Sequence, residues 1–183
     1  MEPKVDADTT VKNETSEVRN LKAISPDDPL VKNALEALVA THLPMNFSRM
    51  NTGPGRSISL GRVADRYHHL MGESMNDAKY PELKKAVFAL GKKIAPFKFS
   101  TVQVNHNYRT PTHIDKNNVG ESVIIGLGNY KGGDLIVEGK RYNIKYRPVM
   151  FDGSKMRHST SAYSGDRYSL VFFKTKDMFP GEK

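Results

Sequence analysis

The apolar residues of this 183-residue chain change their period once, near Pro96, and that change limits the fold more than any other feature. Before it, Leu30, Val31, Ala34, Leu35, Leu38 and Val39 recur at helical spacing behind the potential caps Asp27 and Asp28, and Pro44 closes the run. Leu83, Val87, Leu90 and Ile94 repeat the pattern after Pro81, a residue suited to a first helical turn. This spacing predicts helices over 28–41 and 81–94, with a shorter one over 61–71. Beyond Pro96 come short runs broken by glycine-rich turns, predicting strands at 99–107, 111–116, 121–128, 133–138, 141–146, 148–152, 156–162 and 167–175. The class is therefore α+β: a double-stranded β-helix, or jelly roll, of about eight strands braced by N-terminal helices. The expected organisation is a polar, disordered tail at 1–25, helical support and a lid at 26–96, a jelly-roll core at 97–176 forming one domain with that support, and a tail at 177–183.

Composition narrows the classes further. A chain of 183 residues can bury a core without covalent staples, and zero cysteines exclude a disulfide framework, thiolate metal sites and a cysteine nucleophile. No apolar run reaches the roughly 20 residues that span a bilayer, and the start lacks the basic-then-apolar order of a secretory signal. A soluble intracellular protein, cytoplasmic or nuclear, with no membrane partner is the expectation. Charge is uneven: within residues 1–20, Lys4, Lys12 and Arg19 face Glu2, Asp6, Asp8, Glu14 and Glu17, a net −2 that leaves +10 for the body of a chain whose total is +8. An excess of that size favours polyanionic partners, nucleic acid first among them.

The chemistry concentrates in Thr112-His113-Ile114-Asp115 and in a lone His158, 43 residues beyond Asp115. Two imidazoles and one carboxylate on one side of a metal form the ligand set of non-haem Fe(II) oxygenases. In a strand, His113 and Asp115 would project to the same side while Ile114 packs behind them. Arg167 follows His158 by nine residues, between Gly165 and the apolar Tyr168-Ser169-Leu170-Val171-Phe172-Phe173. If 156–162 and 167–175 pair antiparallel, Arg167 lies deeper in the same pocket with Ser169 on its face. A guanidinium fork and a hydroxyl would together seat a carboxylate.

H-x-D, a distant H and R-x-S together resemble the Fe(II)/2-oxoglutarate-dependent dioxygenases, over about residues 97–176. Within them, Val104-Asn105-His106-Asn107-Tyr108, Thr112-His-Ile-Asp-Lys-Asn-Asn118, the Gly128-to-Leu135 turn containing Gly132-Gly133-Asp134, and Gly165-Asp-Arg167 look most like the TET/JBP nucleic-acid base oxygenases, although the long inserts of the animal members are absent. The resemblance implies Fe(II) held by His113, Asp115 and His158, 2-oxoglutarate and O₂ as co-substrates, and hydroxylation of an unactivated C–H bond with release of succinate. It gives Arg167 and Ser169, with Asn105 and Asn107, to the co-substrate.

Substrate contacts are read from the surrounding residues. Segment 45–62, rich in glycine and arginine, resembles a lid, with Arg49, Arg56 and Arg62 lining an entrance. Lys116 and Asn118 follow the H-x-D pair directly, and Tyr108, Tyr130 or His106 could stack on a base. His68 and His69 are adjacent on the 61–71 helix and cannot face one ion. Three functions compete: oxidation of a 5-methylpyrimidine in nucleic acid, hydroxylation of a prolyl or lysyl side chain in a peptide, and a non-catalytic binding module on the same scaffold.

Overall fold

A computed structural model describes residues 17–46, 55–64 and 71–176. Helix α1 (Pro29–Ala40) begins as the sequence indicates: Asp28 accepts a hydrogen bond from the Leu30 amide at 2.9 Å, and Pro29 occupies the first turn. After a short helix α2 (Met75–Lys79) comes α3 (Pro81–Ile94), which buries Leu83, Val87 and Leu90. Both long helices lie on one face of a seven-stranded antiparallel sheet. Its order is β1 (Arg19–Asn20), β8 (Val149–Phe151), β5 (Ser122–Gly132), β10 (Tyr163–Phe173), β4 (Thr101–His106), β2 (Arg56–Ala64) and β3 (Met71–Glu73). A second sheet of three strands, β7 (Lys140–Tyr142), β6 (Leu135–Val137) and β9 (His158–Thr160), packs against the other face.

Period-two alternation divides each strand of the large sheet between two cores. Outward, Ile58, Leu60, Val102, Val104, Ile125, Leu127, Leu170 and Phe172 meet the apolar stripes of α1 and α3. Inward, Ile124, Val149 and Phe151 meet Leu135, Val137 and Ile144 between the sheets. The α+β class and the two-sheet core agree with the sequence, but several boundaries do not.

No strand forms at 111–116; His113 makes only an isolated bridge to His158. Pro111 has no amide hydrogen to donate, and the 116–117 turn follows directly, so a ladder has no room to develop. The predicted helix at 61–71 is also wrong: residues 61–64 belong to β2 and Met71 opens β3. Gly61 explains this locally, because its φ of 93° is left-handed and a Cβ there would sit 2.3 Å from the Ser100 carbonyl oxygen. His68 and His69 lie outside the described residues, as does Arg49. The supposed lid at 45–62 is partly ordered sheet, since Ser57-Ile58-Ser59-Leu60 alternates in and out along β2. Order begins well before residue 26: Arg19–Asn20 pairs with β8, and Leu21 and Ile24 pack on the core. Residues 1–16 and 177–183 lie outside the described part. Among the described residues no helix is long and apolar enough to cross a membrane.

Candidate metal centre

The chain brings His113, Asp115 and His158 together, with one ligand atom from each lying within 4.8 Å of the others. His158 is delivered by β9, which pairs with β6 opposite Val137. His113 and Asp115 sit on an irregular segment tied to the same place by backbone bonds: His113 N–H to His158 O at 2.9 Å, His158 N–H to His113 O at 3.1 Å, and Asp115 N–H to Gly153 O at 2.8 Å. These ties replace the strand geometry that the sequence suggested.

The donor atoms suit one cation. His158 Nε2 lies 3.1 Å from Asp115 Oδ2, and His113 Nε2 lies 3.4 Å from Asp115 Oδ1. On the far side of each ring a carbonyl sets the tautomer: Pro111 O is 2.7 Å from His113 Nδ1, and Met156 O is 2.9 Å from His158 Nδ1. A carbonyl can only accept, so each Nδ1 carries a proton and each Nε2 is left facing the carboxylate, where a metal ion would take the place of any Nε2 proton. Burial pushes the Asp115 carboxyl upward, but hydrogen bonds and charge from His113 and His158 prevail and hold it well below the usual carboxylate range. The result is an anionic oxygen flanked by two ring nitrogens. His158 is buried and rests edge-on against Phe151 at 4.9 Å, while His113 and Asp115 are half-exposed at the mouth.

The triad opens onto a cavity between the sheets, lined among others by Gln103, Asn105, Tyr108, Thr110, Asn118 and Ser169. Arg167 lies on the same inward face of β10 as Ser169, but not by the expected pairing. β9 belongs to the small sheet and β10 pairs with β4 and β5; the chain changes sheets at 161–162. Arg167 is 2% exposed and does not line the cavity. Its Nη2 donates to Gly133 O at 3.0 Å, and its guanidinium carbon lies 5.6 Å and 5.7 Å from the ring centres of Tyr130 and Tyr163. Arg167 Nε and Tyr130 Oη are both buried and neither makes a hydrogen bond of good geometry among the described residues, although the two side chains interact with each other. Burial pushes the Tyr130 hydroxyl up to about 12 despite the opposing Arg167 charge, so it stays protonated and able to donate. Gly133 permits this closeness: a Cβ there would sit 2.6 Å from Arg167 Nε.

The other proposed site residues separate. Tyr108 and Asn118 line the cavity, and Lys116 is exposed beside Asp115. Asn105 lines it too, its amide bonded to Ser57 and Ser169. Asn107 does not: it is exposed, its Oδ1 accepts from the Arg167 amide at 2.8 Å and its Nδ2 donates to Asp166 at 3.0 Å. Arg56 shares the outward face of β2 with Ile58 and Leu60, opposite the cavity, and donates to Leu43 O; Arg62 follows the left-handed Gly61 and stands half-buried opposite Glu73. Neither residue is among those lining the cavity. His106 stacks on Tyr168 at 4.1 Å, also outward, and Tyr130 is 3% exposed, so neither offers a stacking surface at the mouth. Sequence reading passed over Gly153, where a Cβ would lie 3.2 Å from both Asp115 Oδ2 and His158 Cε1. It gave Tyr130 no part beside Arg167, although the Gly-Gly-Asp-Leu turn that follows it was visible.

Neither a protein-family model nor any curated protein sequence matches this chain. Solved structures do. NgTET1 in complex with 5mC DNA superposes with a TM-score of 0.62 at 12% identity, covering 88% of this chain and 73% of that one. A 2OG-Fe(II) oxygenase family oxidoreductase from Burkholderia pseudomallei gives 0.61 at 19% identity, covering 93% and 90%. A Pseudomonas putida prolyl-4-hydroxylase gives 0.53 at 12% identity, covering 88% and 94%. The chain shares its fold with 2OG-Fe(II) oxygenases, and its histidine–aspartate–histidine cluster lies inside that shared fold.

Proposed function

We propose that this protein is an Fe(II)- and 2-oxoglutarate-dependent dioxygenase that hydroxylates a C–H bond, its substrate being the methyl group of a 5-methylpyrimidine in nucleic acid. The carrying observation is the triad, in which both imidazoles present Nε2 to one carboxylate while a backbone carbonyl holds each Nδ1. His113, Asp115 and His158 would hold the iron, which supplies O₂ activation coupled to decarboxylation of the keto acid. Ser169 at the cavity wall, with the buried Arg167 two residues along the same face and Tyr130 beside it, would take the distal carboxylate; desolvation there would strengthen each charge-assisted bond. The chain's own contribution would be orientation: the inward face of the large sheet would seat the keto acid, and the cavity mouth would select which C–H bond approaches.

The nucleic-acid reading is supported by the net charge of +8 and by the likeness to a structure holding 5mC DNA. A base must leave its stack to enter such a mouth. Protein side-chain hydroxylation is the second reading, favoured by the likeness to the prolyl-4-hydroxylase, and a non-catalytic module is the third. The test loads the full chain with Fe(II) and 2-oxoglutarate and compares 5-methylcytosine oligonucleotides with proline- and lysine-containing peptide libraries by mass. A gain of one oxygen on the oligonucleotide alone is expected. Gain on peptide alone overturns the substrate, and absence of succinate with every substrate overturns the oxygenase.

A further inference from the structure

On the inward face of the large sheet, register places Ser169, Asn105 and Ser57 side by side across β10, β4 and β2, with Val171, Gln103 and Ser59 in the next row. The polar members form one continuous chain. Ser59 Oγ donates to Gln103 Oε1 at 2.7 Å, and Gln103 Nε2 donates to Ser57 Oγ. Ser57 Oγ donates to Asn105 Oδ1 at 3.0 Å, and Asn105 Nδ2 donates to Ser169 Oγ at 3.1 Å. Gln103 Nε2 also approaches Asn105 Oδ1 at 3.4 Å, which ties the orientation of the two amides together. Four of the five side chains reach the cavity or are buried against it: Gln103, Asn105 and Ser169 line it, and Ser57 is 6% exposed.

The direction of the chain matters because a hydroxyl has a single proton. Each link spends its proton on the next residue, from Ser59 toward Ser169. In the reverse sense the half-buried Ser59 would turn its proton toward solvent and the buried Ser169 would spend its proton on Asn105. In the sense found, Ser169 Oγ accepts from Asn105 and its own proton has no acceptor among the described residues, although the residue is 3% exposed. A buried, uncommitted proton is costly until an acceptor arrives.

We infer that Ser57, Gln103 and Asn105 are positioning residues that fix Ser169 as an obligate hydrogen-bond donor toward an anionic ligand in the cavity, so that a strand two places away controls carboxylate affinity. The inference rests on the co-substrate reading above and extends it to Ser57 and Gln103, which touch no ligand in that reading. Chains of this kind polarise cooperatively, so a break several ångströms away is felt at the end. Removing the Ser57 hydroxyl frees both amides to turn over, after which the Ser169 proton goes to Asn105 instead of the ligand.

The test is a double-mutant cycle on the full chain, loaded with Mn(II) under anaerobic conditions and titrated calorimetrically with 2-oxoglutarate. Ser57→Ala should weaken binding about fivefold, the scale of one neutral hydrogen bond, and Ser57→Thr, which keeps the hydroxyl, should restore it. In a Ser169→Ala background Ser57→Ala should change affinity by less than about twofold, because its route to the ligand is gone. An undiminished Ser57→Ala effect in that background would overturn the relay and mark Ser57 as structural. If Ser57→Ala does not fold, Gln103→Leu, one link earlier, enters the same cycle with the same criteria. Failure of the unsubstituted protein to bind 2-oxoglutarate removes the co-substrate reading itself, a result separable from binding that is present but indifferent to Ser57.

Discussion

Replacing Arg167 by methionine tests whether the buried guanidinium exists for a ligand or for the fold. In the ligand-free chain the side chain makes one hydrogen bond, to Gly133 O, and two ring contacts, while Nε makes no hydrogen bond of good geometry. Against those stands the desolvation of a full charge at 2% exposure, which also lowers the group's own pKa. Substituting apolar residues for buried charges of this kind is commonly neutral or stabilising, by up to about 1–4 kcal/mol; here the orphaned Gly133 carbonyl returns roughly 1–3 kcal/mol of that. Arg167→Met should therefore leave the melting temperature of the ligand-free protein within a few degrees of the parent, at about 2–4 °C per kcal/mol for a chain of this size. Binding of 2-oxoglutarate should behave oppositely. One lost charge-assisted hydrogen bond is worth about 1.5–3 kcal/mol, or roughly 10- to 150-fold, and a bidentate contact would lose more. The measurements are thermal unfolding without ligand and anaerobic calorimetry of 2-oxoglutarate on the Mn(II)-loaded protein. Affinity within about twofold of the parent, or a collapse in stability without ligand, would refute the assignment of Arg167 as a carboxylate seat.

Gly153→Ala should weaken Mn(II) binding by about 10-fold with little change in unfolding, because its Cβ would stand 3.2 Å from both Asp115 Oδ2 and His158 Cε1 and metal ligands tolerate displacements of only about 0.2 Å; equilibrium dialysis reads it. His113→Ala and Asp115→Ala should abolish metal uptake and turnover while circular dichroism stays unchanged, since both residues are half-exposed on a segment outside the named strands. Gly61→Ala should lower the melting temperature, as a left-handed residue would gain a side chain 2.3 Å from the Ser100 carbonyl oxygen, without altering metal affinity. Acid sensitivity has one named source at the start of α1. The Lys93 hydrogen bond holds the Asp28 carboxyl below its ordinary value against a burial effect that raises it. A depressed folded-state pKa gives stability that is present above the unfolded value and lost as pH falls through the folded one. Asp28→Asn, which keeps the cap to Leu30, should flatten that acid limb in denaturant titrations across pH 2–5.

Legibility in the sequence followed the range of the interactions involved. α1 and α3 were readable because a cap, a proline and an apolar stripe are local signals. The triad was readable by residue type, but not by the geometry assumed for it: His113 and Asp115 converge through backbone ties to His158 and Gly153 on distant segments, which no spacing rule contains. β2 was missed because Ser57 and Ser59 look like loop composition until β4 supplies Asn105 and Gln103 as partners. The outward side of Arg56 was illegible for the same reason, as it is fixed only once the strand exists. Arg167 was found by its position after His158, whereas its neighbour Tyr130 depends on the β5–β10 register, in which Gly165 stands opposite Tyr130.

The three ligands are unequally anchored. His158 belongs to a strand with a paired neighbour, whereas His113 and Asp115 sit on a stretch without a ladder, held by single ties at 110, 113, 115, 118 and 119. A cation seated there would act as a rivet between that singly tied stretch and the paired strand, its grip felt mostly on the stretch. Amide exchange should slow most at 111–118 on loading, and departure of the ion should begin by that stretch lifting away from an unmoved His158.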